Sequence, residues 1–112
     1  VYYNKGLLGK EIEEYQKAIA IDPEYKIARM NLASAYLAKG ERTLAEKEYK
    51  WIITKEPENK KALYNLGLIY SDMKRKEDSI LMFERFLKLE PKGKSADKAR
   101  EYLMKLKAKE KK

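Results

Sequence analysis

The chain has 112 residues, a net charge of +8, 39% charged and 44% hydrophobic residues, and neither cysteine nor histidine. Disulfides and thiol chemistry are therefore excluded, the commonest general base and metal ligands are missing, and no apolar run approaches the roughly 20 residues that cross a bilayer. Few glycines and only three prolines at this charge density describe a folded helical protein rather than a disordered one.

Val1 to Lys5 read as the closing turn of a helix, because Tyr2, Tyr36 and Tyr70 recur at one constant spacing. Gly6 and Gly9 then mark a turn into a helix over about 8–21, with Tyr15, Ala18 and Ile19 at i, i+3 and i+4 on its inner face. Glu11 stands where Ala45 and Ser79 stand later. Asp22-Pro23 stops this helix, since proline donates no helical hydrogen bond and restricts the residue before it. The next helix, about 24–38, carries Leu32, Ala33 and Tyr36 on one stripe with Ala28 and Ala35 beside it. Arg29 is expected to pack its stem and send its head to solvent. Lys39-Gly40 turns into a partner helix over about 42–55, with Ala45, Tyr49, Ile52 and Ile53 inward.

Asn59 is a candidate N-cap for a helix to about residue 72, striped by Leu63, Leu66, Gly67 and Tyr70. Gly67 in mid-helix costs roughly 1 kcal/mol against alanine. That cost suits a close approach by the facing helix, about 76–89, which offers the small Ser79 and supplies Ile80, Phe83, Phe86 and Leu87. Beyond Pro91 the repeat signal fades. Ala96, Ala99, Leu103 and Leu106 nevertheless keep a helical stripe over about 95–107, ahead of a basic tail at 108–112 that is expected to fray.

Pro23, Pro57 and Pro91 are the only prolines, and the two intervals between them equal each other and the spacing of the tyrosines. A constant interval between breakers is the mark of a stacked array, because nothing in a single core requires it. Sliding the chain by one period lays Leu32-Ala33 on Leu66-Gly67, Asn31 on Asn65, Ala45 on Ser79 and Tyr49 on Phe83; shifting back places Gly6 under Gly40, Tyr15 under Tyr49 and Ala18 under Ile52. With this period, the aliphatic plus small pair, the tyrosine that follows and the closing proline, the chain resembles the tetratricopeptide repeat family over about residues 1–91. The resemblance implies an all-α fold, a right-handed superhelical array of antiparallel helix pairs. It would divide into an incomplete repeat at 1–23, further repeats at 24–57 and 58–91, and a capping helix at 92–107 that covers the apolar end of the stack.

Catalysis is disfavoured by elimination. Glu11, Glu13, Glu14, Glu46 and Glu48 lie on expected outer helix faces, no phosphate-cradling glycine loop is present, and nothing implies a cofactor or a metal. The segment 92–112 holds nine lysines or arginines against three acids. Apart from Tyr102 no aromatic residue interleaves with them, which argues against nucleic acid and for a solvated cap. No secretory signal stands at Val1, which says little for a chain expected to begin inside a repeat; a cytoplasmic setting is the expectation.

A second stripe on each leading helix is left over from the core: Ile27, Met30, Asn31 and Ser34, then Lys61, Tyr64, Asn65 and Leu68 one period later, then Ser95, Lys98, Ala99 and Tyr102. The resemblance implies that leading helices line a concave groove that binds an extended peptide or a partner helix. Asn31 and Asn65 can pair with a peptide backbone through amides that both donate and accept. Ile27, Met30, Tyr64 and Leu68 would offer apolar pockets, while Lys61 and Lys98 would favour an acidic side chain or a terminal carboxylate. Some tetratricopeptide domains clamp chaperone tails in this way; Asn31 and Lys61 match two of those positions, but Asn65 replaces an expected arginine. The alternative reading is a structural module that forms a homo-oligomer through its incomplete N-terminal repeat.

Overall fold

The computed structural model describes residues 5–110. Among them are six helices: α1 (Lys5–Ile21), α2 (Lys26–Lys39), α3 (Arg42–Lys55), α4 (Lys60–Asp72), α5 (Lys76–Leu89) and α6 (Lys94–Glu110). No strand occurs among the described residues. The helices fall into two compact units, one ending at Lys55 and one beginning at Glu56, so that α6 belongs with α4 and α5.

In the first unit α2 packs against both α1 and α3. Its expected stripe is inside: Ala28, Leu32, Ala33, Ala35 and Tyr36 are all buried, as are Ala45, Tyr49 and Ile52 on α3. Gly40 ends α2 in the left-handed conformation at φ 89°, and the Glu41 amide reaches back to the Tyr36 carbonyl at 2.8 Å, which satisfies an otherwise orphaned acceptor. Asp22 holds the preceding turn by accepting from the Glu24 amide at 3.1 Å.

Four expectations for this unit are corrected, the last of them at Arg29. First, α1 is continuous from Lys5 through Gly6 and Gly9, where the sequence predicts a turn; the predicted helix end at Val1–Lys5 lies largely outside the described residues. An added Cβ at Gly9 would meet nothing within 4 Å, so that glycine marks neither a close approach nor a turn. It remains in the helix at a modest propensity cost. Second, among the α1 residues whose burial is described, the buried one is Ile12; Tyr15, Ala18 and Ile19 are half-buried, and Glu11, one place before Ile12, is exposed. Third, Glu46 is buried and Glu48 half-buried, so neither stands on an outer face.

The reason for Glu48 is Arg29. Its guanidinium does not reach open solvent: it donates to Glu48 Oε1 at 2.8 Å and to the Pro23 carbonyl at 2.9 Å, and lies 4.2 Å from the centre of the Trp51 ring. Both side chains of the ion pair are more than four-fifths buried. A buried charge is tolerable only when paired and hydrogen-bonded, and this cluster meets both conditions.

In the second unit α4 packs on α5, and α5 on α6. Asn59 caps α4, accepting from the Ala62 amide at 3.0 Å. A Cβ at Gly67 would lie 2.7 Å from the Phe83 ring, and Ser79 Oγ donates to the Gly67 carbonyl at 2.8 Å. The missing methyl thus makes room for Phe83, while Ser79 secures the close approach with a buried hydrogen bond. Ile80 and Leu87 are only half-buried, and Met82 takes an inward place that the repeat pattern does not indicate. Lys74, one period after Gly40, adopts φ 63° without being glycine. The last helix, α6, continues through Ala108 to Glu110, into the stretch expected to fray.

Candidate functional site

The leftover stripe of α2 sits opposite its buried one. Ile27 is 65% exposed, Asn31 and Ser34 are exposed, and Met30 is half-buried. Ser34 Oγ lies 3.3 Å from the Tyr49 hydroxyl, so the polar end of that buried ring is satisfied from the stripe side. On α4, Lys61 is exposed, whereas Tyr64, Asn65 and Leu68 are half-buried; Asn65 is already engaged within the protein. On α6, Ser95 and Lys98 are exposed and Tyr102 is half-buried. Ala99 is the exception, because it is fully buried and belongs to the core rather than to the stripe.

Tyr64 and Tyr102 converge although they come from different helices. The Tyr102 ring stacks on Phe83 with centroids 5.3 Å apart and planes 8° from parallel. Tyr64 meets the same Phe83 edge-on at 5.8 Å and tilts against Phe86 at 5.1 Å. Such pairs add roughly 0.5–1.5 kcal/mol beyond the area they bury. Burial first, and the neighbouring Tyr102 second, push the Tyr64 hydroxyl above its ordinary pKa, so it stays a hydrogen-bond donor. Sequence spacing could place both tyrosines on one stripe. It could not show that Phe83 joins them, because an aromatic side chain reaches well past its own helix.

Beside this cluster a shallow depression of about 210 Å³ is lined by Lys98, Glu101, Tyr102 and Lys105. Lys105 is a member that sequence reasoning missed; the signal available was its position two helical turns after Lys98. Lys61, Lys98 and Lys105 form no ion pair among the described residues, in contrast to Lys60 with Glu90 at 3.3 Å and Lys107 with Glu84 at 3.1 Å.

Helix hairpins recurring at a constant interval, each burying one stripe of its leading helix while a second is less buried, define a helical repeat protein. The sequence matches the tetratricopeptide repeat profile over residues 1–25 and 60–92, just over half of the chain, and the chain belongs to that family. It is 28% identical to human protein O-mannosyl-transferase TMTC1 over 92 residues, which is 82% of this chain but only a tenth of that protein. Among solved structures, the second tetratricopeptide domain of human RPAP3 in complex with the HSP70 peptide SGPTIEEVD is 29% identical, with a TM-score of 0.77 over 92% of this chain and 83% of that one. The first such domain of Spaghetti (RPAP3), bound to the HSP90 peptide SRMEEVD, has a TM-score of 0.83 at 24% identity, covering 96% and 83%. At that identity the second likeness speaks for the fold alone.

Proposed function

We propose that this chain is a non-catalytic protein-interaction scaffold that takes an extended peptide or a partner helix against the open stripes of its leading helices. The observation that carries this reading is the repetition itself. At equivalent places, one period apart, α2 and α4 bury one stripe in a core and keep an asparagine and apolar side chains on the other. A side chain such as Ile27, exposed at that level on a structured helix, gains from being covered, by about 25 cal/mol for each Å² of apolar surface removed from water. Asn31 and Asn65 can bond a peptide backbone without reading its sequence, at about 0.5–1.5 kcal/mol net for each bond. The RPAP3 domain that binds a chaperone peptide supports a peptide ligand of some kind. It does not recommend the chaperone tail itself, since Asn65 stands where the resemblance calls for an arginine. A cytoplasmic setting, read from the sequence, belongs to the same proposal; among the described residues no helix is long and apolar enough to cross a membrane.

Panning a displayed random-peptide library on the intact chain tests this reading. Binders are expected, and Asn31→Ala with Asn65→Ala is expected to lose them while the helical circular dichroism spectrum persists. Binders that survive the double variant unchanged would remove the stripes from the account. Self-association is the second reading, favoured by the half-buried row of Tyr15, Ala18 and Ile19 on α1. Light scattering over a range of concentrations decides it, because a molar mass fixed at one chain rules it out.

A further inference from the structure

The cap helix α6 carries more chemistry than a cover requires, and we propose that it is itself a ligand-binding element: Lys98 and Lys105, assisted by the hydroxyls of Tyr102 and Tyr64, hold the carboxylates of an acidic peptide segment. This rests on the peptide-binding reading above and names the chemistry of the peptide. Lys98 and Lys105 line one depression with Tyr102 and, among the described residues, pair with no carboxylate. Two other basic residues of α6 differ. Arg100 is committed to Asp97 and to the Pro91 carbonyl, and Lys107 to Glu84.

The spacing selects the ligand. Two turns of helix separate the two lysines by roughly 10 Å along the axis. A peptide in the polyproline II conformation covers about 9 Å in three residues, and its three-residue turn returns residue i+3 to the face of residue i. Acids at the ends of a Glu-x-x-Glu segment therefore match the two ammonium groups. Glu101 lines the depression between them and repels a third negative charge placed midway, so spaced acids are preferred to a continuous run. The same geometry disfavours nucleic acid. A regular line of phosphates would meet Glu101, and the Tyr102 ring already has one face occupied by Phe83, which leaves its hydroxyl rather than a stacking platform as its main offer. The Tyr64 hydroxyl, held protonated by its surroundings, is likewise a donor suited to a carboxylate.

Isothermal titration of the full chain with peptides blocked at both termini tests the site, since blocking removes any part played by a terminal carboxylate. A peptide carrying Glu-x-x-Glu is expected to bind about tenfold more tightly than its Gln-x-x-Gln counterpart, with the preference shrinking as salt is added. Lys98→Gln or Lys105→Gln should each reduce that preference, and the double variant should abolish it. Lys107→Gln should leave it in place, because that ammonium is already paired. Tyr102→Phe keeps the ring stack and should weaken binding by a smaller factor. The site is overturned by equal affinity for the two peptides, by a preference that survives the double variant, by adjacent glutamates binding better than spaced ones, or by tighter binding of oligothymidylate. If both peptides bind equally and Asn31→Ala with Asn65→Ala abolishes that binding, the scaffold reading stands without this site. If neither peptide binds, this site falls, and the panning experiment alone decides the scaffold reading.

Discussion

The hairpins α2/α3 and α4/α5 are built on one pattern and held together by different chemistry. At the place where α4 uses the apolar Leu63, α2 carries Arg29, and the cost of that charge is offset by Glu48, the Pro23 carbonyl and the Trp51 ring. Where the first hairpin combines Ala33 with Tyr49, α4 strips the side chain to Gly67 and lets Phe83 fill the space. The first hairpin closes its turn with Gly40 and leaves α2 without a side-chain cap, while the second caps α4 with Asn59 and forces Lys74 into the left-handed region. What a repeat preserves is thus volume and backbone geometry, and a charged cluster or an aromatic one can satisfy either.

The comparison yields predictions that differ between the halves. Phe83→Ala should have the largest effect, about 3–5 kcal/mol by chemical denaturation, because it empties a fully buried site and removes the partner of Tyr64 and Tyr102 together. Arg29→Leu, which makes the first hairpin imitate the second, should cost about 2–3 kcal/mol by leaving Glu48 largely buried without its cation, and adding Glu48→Leu should recover most of the loss. Gly67→Ala should destabilise by about 1–2 kcal/mol even though alanine is the better helix former, since the Phe83 ring is fully buried and cannot easily yield. Stabilisation by this change would show that the close approach is slack. Lys74→Gly should stabilise by about 1 kcal/mol by relieving the left-handed backbone that Gly40 adopts freely, and thermal unfolding would register it.

The smallest effect concerns alkali. The Tyr64 hydroxyl has its pKa raised in the folded chain, so its contribution is complete below the ordinary tyrosine value of 10.0 and is lost as pH rises through the higher folded value. Denaturation midpoints measured above pH 10 should therefore fall less steeply in Tyr64→Phe than in the parent chain. Equal slopes would mean that burial of this hydroxyl is energetically idle.

The four central helices were legible because recurrence fixed them. Pro23, Pro57 and Pro91 set the frame, Asn59 and Gly40 signalled a start and a stop, and Gly67 announced the close approach that Phe83 occupies. What stayed hidden depended on partners outside the local window. Glu46 and Glu48 look solvated on a helical wheel, and only the position of Arg29 on α2 shows why Glu48 turns inward. Gly6 and Gly9 carry the same letter as Gly40, yet α1 passes straight through them. Lys74 gives no warning of its left-handed backbone, since lysine is ordinarily content in a helix. Of the stripe residues, Ile27 and Asn31 are exposed as the spacing suggested, whereas Ala99 is buried and Tyr64 and Tyr102 are shared with an aromatic cluster.

Trp51, the only tryptophan, is flanked in the first unit by the Arg29 guanidinium at 4.2 Å and the Lys55 ammonium at 5.6 Å. Intrinsic emission from an indole with two cations against it reports on that neighbourhood, whereas beyond Lys55 tyrosine and phenylalanine are the only aromatic residues. The chain therefore carries its own optical label on one half, and a spectrometer can record whether the two halves melt together or in sequence without any dye being attached.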